Sequence, residues 1–214
     1  MKKFLAEFTA TFALILFGTG SIIIDQEFSG VLGNTGIALA FGSIVAIMIY
    51  AFGALSGAHM NPAVSIAFSL SGHLDKKLLL HYLSAQLSGA IAASVTLHLL
   101  FTENKTLGLT TPSGTEIQSF VLELILTFFL MLTIFRLIQQ PDEKTHLNGL
   151  IIGGVIFLEA LVAGPVCGAS MNPFRSLSPA IVSGNFNHLW IYLSAPLCGA
   201  LLAIPANKLL STKN

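Results

Sequence analysis

The chain has 214 residues, of which 54% are hydrophobic and 9% charged, against about 25% charged in ordinary soluble domains. Ten Lys and Arg balance ten Asp and Glu, so charge gives no reason to expect a nucleic-acid partner. The two cysteines, Cys167 and Cys198, lie in apolar surroundings and imply no disulfide framework. Six apolar stretches, near 4–24, 33–55, 79–101, 117–138, 147–166 and 187–209, are long enough to span a bilayer, whose core of about 30 Å needs about 20 apolar residues. Met1-Lys2-Lys3-Phe4 imitates the start of a signal peptide. The stretch to Ile24 is too long for one, contains Glu7 and lacks a small-residue cleavage site, so a retained first span is expected. After the second and fifth spans lie shorter apolar runs, 61–71 and 172–182. At about 1.5 Å per residue each covers about 15 Å, and two meeting end to end complete one crossing.

The halves read as repeats. Glu7-Phe8-Thr9-Ala10-Thr11-Phe12 matches Glu123-Leu124-Ile125-Leu126-Thr127-Phe128, with Glu, Thr and Phe in register. Ala85-Gln86-Leu87-Ser88-Gly89-Ala90 matches Ala195-Pro196-Leu197-Cys198-Gly199-Ala200. The division falls at 1–110 and 111–214, with three spans and one half-helix on each side. An odd number of spans inverts the second repeat, an architecture common among transport proteins. The expected fold is therefore an all-α membrane protein with six spans and two re-entrant half-helices.

Each half-helix opens on the same signature, Gly57-Ala58-His59-Met60-Asn61-Pro62-Ala63 and Gly168-Ala169-Ser170-Met171-Asn172-Pro173-Phe174-Arg175. Asn is a strong N-cap and Pro is favoured at the first helical position, so Asn61-Pro62 and Asn172-Pro173 mark abrupt helix starts. A start in mid-membrane exposes backbone N–H groups, which is tolerated only beside a cavity. If each Asn caps through its side-chain oxygen, its NH₂ donors are free to face a permeating oxygen. The two positive dipole ends then oppose cations. Arg175 is costly within a bilayer unless it faces that cavity or a partner.

Basic residues set the orientation. Lys2, Lys3, Lys76, Lys77, Arg136, Lys144, Lys208 and Lys213 fall on one side, whereas the opposite loops hold only Lys105, with Arg175 near them. The positive-inside rule then places both termini in the cytoplasm of a multi-pass cell-membrane protein. Small residues four apart, Ala85/Gly89, Gly149/Gly153 and Ala195/Gly199, allow close helix contact.

The paired Asn-Pro motifs, the inverted halves and the following Arg resemble the aquaporin or major intrinsic protein family along essentially the whole chain. Ser56–Val64 and Ala163–Pro173 are similar to the plant nodulin-26-like branch and its bacterial relatives. The resemblance implies a passive channel for small uncharged solutes: glycerol-like polyols, metalloid hydroxides such as arsenite, boric or silicic acid, and water. It also implies a homotetramer in the lipid bilayer with one pore per subunit, and no cofactor.

Carried onto this sequence, the family's selectivity filter falls on Phe41, Ala160, Ala169 and Arg175. Strict water channels carry His where this chain has Ala160, so a wider, less polar constriction is expected. Glu7 and Glu123 become buttresses of the half-helix loops, and His59 a brace of the first. Phe174 departs from the usual Ala of the second motif and is expected to displace neighbours or narrow the pore. Glu159, beside Ala160, is a functional candidate as an intramembrane acid, although one helical step turns it about 100° from its neighbour. Rival readings are a water-selective channel, an ion- or proton-coupled transporter using Glu7, Glu123 and Glu159, and a non-conducting scaffold. No metal-ligand spacing and no recognisable catalytic motif is present, so no enzyme is expected.

Overall fold

The computed structural model describes residues 1–140 and 146–211; Lys144 and Lys213 of the basic set lie outside the described residues. The described chain is helical, with no strand: α1 (Lys2–Glu27), α2 (Gly33–Ser56), α3 (Pro62–Leu70), α4 (Lys76–Leu100), α5 (Glu116–Leu137), α6 (Asn148–Cys167), α7 (Pro173–Ser183) and α8 (Leu189–Leu210). The six longer helices are apolar and long enough to cross a membrane, while α3 and α7 are half-length. Observed ends depart from the apolar runs by up to three residues. The largest shifts have polar causes. Asp75 Oδ1 accepts the Lys77 N–H at 2.9 Å and starts α4 at Lys76, ahead of its apolar stretch. At the end of α1, Asp25, Gln26 and Glu27 continue the helix past Ile24 and bind the loops beyond it.

α1 packs on α4, α5 on α8, and α2 on α6. Close approach explains the small residues at these crossings. A Cβ on Gly89 would lie 2.4 Å from the Phe8 carbonyl oxygen, and one on Gly199 would lie 2.2 Å from that of Leu124. At the third crossing Gly42 and Gly153 face one another's carbonyls, with corresponding clearances of 2.5 and 2.4 Å. Any side chain there would separate the helices.

Leu80, Leu99, Ile117 and Val162 stand exposed on the outside, while Glu7, Gln86, Glu123, Arg175 and Ser176 are fully buried. That inverts the pattern of a water-soluble protein and suits a surface bathed in lipid. Within α1, residues Leu14–Thr19 widen into a π-helical stretch, a form common at functional positions. Gly18 in that stretch seats the ring of Phe41 from α2.

Candidate functional site

The site is built where the two half-helices meet by their N-termini. α2 ends on Gly57 (φ 90°) and α6 on Gly168 (φ 86°), left-handed positions that glycine occupies without strain. Beyond them Ala58 and Met60, and likewise Ala169 and Met171, also take positive φ, between 41° and 52°. Such conformations cost energy for residues with a Cβ and persist only where neighbours fix them.

The fixing groups are two carboxylates. Glu7 of α1 accepts the N–H groups of His59 and Met60, each at 2.9 Å, the Ser56 hydroxyl at 2.7 Å and Gln86 Nε2 at 2.8 Å. Glu123 of α5 accepts the N–H groups of Ser170 at 2.7 Å and Met171 at 2.8 Å. Tyr82 and Tyr192 complete the correspondence by donating to the carbonyls of Ser56 at 2.6 Å and Cys167 at 2.8 Å. Pro196, where the first loop has Gln86, offers no donor, and the Cys167 thiol, where it has Ser56, donates to the Ala163 carbonyl at 3.4 Å.

Asn61 Oδ1 accepts the Ala63 N–H at 2.9 Å, and Asn172 Oδ1 accepts those of Phe174 at 3.0 Å and Arg175 at 3.3 Å. Both Asn side chains are thus N-caps. Their amide nitrogens are not wholly free, which corrects the expectation from sequence. Asn61 Nδ2 donates to the Met171 carbonyl and Asn172 Nδ2 to the Met60 carbonyl, each at 2.7 Å. Each NH₂ therefore spends one of its two protons on the opposite loop and keeps one.

One cavity of about 560 Å³ runs through this centre. Phe41, Ala160, Ala169 and Arg175 line one end, Asn61, Asn172, His59 and Ser170 the middle, and Ile138, His146, Asn148 and Tyr50 the other end. Val45, Val64, Leu130, Ile134 and Ile152 supply apolar wall between them. The half-helix N-termini put partial positive charge at its middle. Arg175 is only 2% exposed; its Nη1 donates to the Gly108 carbonyl at 2.7 Å, and its Cζ lies 5.2 Å from the Phe41 ring centroid.

His59 lines the cavity and braces its loop, with Nδ1 3.0 Å from Ser65 Oγ. At the corresponding place in the second loop, Ser170 Oγ is 2.6 Å from Ser176 Oγ, which accepts from Thr110 Oγ1 at 2.7 Å. Pro62, Ala63, Pro173 and Phe174 form the helix starts and do not line the cavity.

Phe174 lies off the cavity wall, so of the two outcomes expected from sequence, displaced neighbours or a narrowed pore, narrowing is not seen. The Phe174 ring packs against a cluster that includes Ala10, Leu14, Ala90 and Ala93. Ala63, its counterpart, sits in a cluster that includes Leu130 and Met131, with Leu126 packed against it where the first half has Ala10. Glu159 is half-buried and turned off the cavity, and its Oε2 has no partner among the described residues.

Three contributors escaped the sequence reading: the Gly108 carbonyl, the π-helical seat at Gly18, and the Tyr50–His146–Asn148 mouth. The first is a backbone atom with no side-chain signal, and the second depends on helix winding. The third had a partial signal, a polar His and Asn flanking the start of the fifth span.

Six apolar spans enclosing two half-helices, whose tips meet at a polar point of one cavity, define a multi-pass membrane channel. The profile described as Major intrinsic protein matches residues 1–205, and the chain belongs to that family. It is 40% identical over 215 residues to "Aquaporin NIP1-1" of Zea mays, covering 100% of this chain and 76% of that protein. It is 40% identical over 202 residues to "Nodulin-26" of Glycine max, covering 94% and 74%. The X-ray structure of the aquaglyceroporin from Plasmodium falciparum superposes with a TM-score of 0.87 at 28% identity, covering 98% of this chain and 96% of that one.

Proposed function

We propose that the cavity is a passive path for small uncharged solutes, including polyols of glycerol size, metalloid hydroxides and water, with Phe41, Ala160, Ala169 and Arg175 as its selecting constriction. The observation that carries this reading is the chemistry of that end. Two methyl-sized side chains and one aromatic face leave apolar width, while a sheltered guanidinium offers hydrogen-bond donors on the other wall. A polyol has both an apolar and a hydroxylated edge and matches both walls. At the midpoint, the free Asn61 and Asn172 protons serve one oxygen at a time as it passes two positive helix ends, where a cation is repelled. Relatives called aquaporin and nodulin-26, and a superposable aquaglyceroporin, support the same class.

Both termini lie in the cytoplasm on this reading, the Arg175 end faces outward, and four copies assemble in the cell membrane with a pore in each. Glu7 and Glu123 are spent on backbone N–H groups and shape the loops. Glu159, off the cavity, carries no transported proton. The test is solute uptake into proteoliposomes with and without imposed proton and sodium gradients. Flux that follows the solute gradient alone supports a channel; acceleration by an ion gradient overturns it in favour of coupled transport.

A further inference from the structure

Arg175 is the charged wall of the cavity, yet its side chain has a single hydrogen-bond acceptor among the described residues, the Gly108 carbonyl, and its Nε has none. What fixes that carbonyl fixes the guanidinium. Leu107 and Gly108 both take positive φ, 48° and 66°. A Cβ on Gly108 would lie 2.4 Å from Thr19 Cγ2, so the backbone presses directly on α1. The turn delivering them is organised by Asn104, 7% exposed, whose Oδ1 accepts the N–H groups of Thr106 at 3.2 Å and Leu107 at 2.9 Å. Its Nδ2 in turn donates to Glu27 Oε1 at 2.9 Å and Gln26 Oε1 at 3.2 Å, at the end of α1. Thr106 Oγ1 adds a contact to Gln26 Oε1 at 2.8 Å.

Resting on the proposed role of Arg175, we infer that Asn104 is a positioning residue for solute selection: clasped to the end of α1 by Glu27 and Gln26, it holds the Gly108 carbonyl where it aims Arg175 across the cavity at Phe41. Asn suits the position because it both accepts from the turn and donates to the α1 carboxylate. Releasing the clasp lets the turn and the guanidinium shift together. The width opposite Phe41 then loses definition, while the Asn61–Asn172 centre stays intact.

The test measures glycerol, a five-carbon linear polyol and water permeability in proteoliposomes of the full chain. Asn104→Ala is expected to lower the glycerol to five-carbon polyol ratio about fivefold, a difference of about 1 kcal/mol between the two solutes. Water flux stays near wild type, Glu27→Ala acts in the same direction, and Glu27→Gln, which keeps the acceptor, restores the ratio. Adding Asn104→Ala to Arg175→Val changes nothing further, because the residue acts through Arg175. An unchanged ratio in folded Asn104→Ala, with Arg175→Val altering it, overturns the positioning role alone. An unchanged ratio in Arg175→Val overturns the filter reading itself. If Asn104→Ala does not fold, the double variant Gln26→Ala/Glu27→Ala, which removes both α1 acceptors, decides by the same ratio.

Discussion

Asn61 and Asn172 each cap one half-helix and donate to the loop that precedes the other, through Nδ2 contacts of 2.7 Å to the Met171 and Met60 carbonyls. The exchange ties two tips with no covalent link into one rigid centre. It also orients each amide, so the remaining proton of each points in a fixed direction. A carboxylate at either place keeps the cap and loses the donor, setting oxygen against oxygen.

Asn61→Asp and Asn172→Asp are therefore expected to destabilise the protein by about 1–3 kcal/mol, the range for a buried acceptor left without its donor. The added negative charge also weakens cation exclusion. Thermal unfolding in detergent and ion leak in proteoliposomes check the two effects separately. Wild-type values for both would remove the exchange from the account.

The helices and the doubled Asn-Pro starts were legible in the sequence because hydropathy and capping chemistry are local. The ends of α1 and α4 were less so. Asp25 to Glu27 and Lys76 to Lys77 are polar residues held in helix by caps and loop contacts that hydropathy does not register. Phe41, Ala160 and Ala169 became candidates only through family resemblance, since no periodicity separates a cavity-facing Phe or Ala from a packed one. The reciprocal Asn contacts and the Gly108 carbonyl depend on segments far apart in the chain, and neither left a local trace.

Gly18 tests how Phe41 is held. A Cβ there would lie 2.4 Å from Phe41 Cε1 and 2.6 Å from Cδ1, so one of them must move. The ring has the cavity on its open side. Gly18→Ala is expected to push it inward and cut glycerol flux about tenfold while water flux falls less, a tenfold change needing only about 1.4 kcal/mol. Equal flux of both solutes before and after would show that the ring turns elsewhere.

Phe174 separates packing from permeation. It packs against the cluster that includes Ala10, Ala90 and Ala93 and is absent from the cavity wall. Phe174→Ala leaves a void. A fully buried ring costs about 3–5 kcal/mol when truncated, and this half-buried one is expected at or below the lower figure. The measurement is thermal stability alongside glycerol permeability per folded protein. Lower stability with unchanged selectivity is expected; a changed solute preference would put the ring in the pathway.

On the proposed function, methyl-sized Ala160 and Ala169 make the constriction opposite Phe41 wide enough for polyols. The decisive measurement is stopped-flow permeability of the unmodified protein and of Ala160→His to glycerol, arsenite and water. Imidazole at position 160 fills the space and adds a polar wall while leaving Arg175, Asn61 and Asn172 in place. Glycerol and arsenite flux is expected to fall steeply in the variant while water flux and ion exclusion survive. Exclusion of glycerol and arsenite by the unmodified, water-conducting protein would contradict the claim.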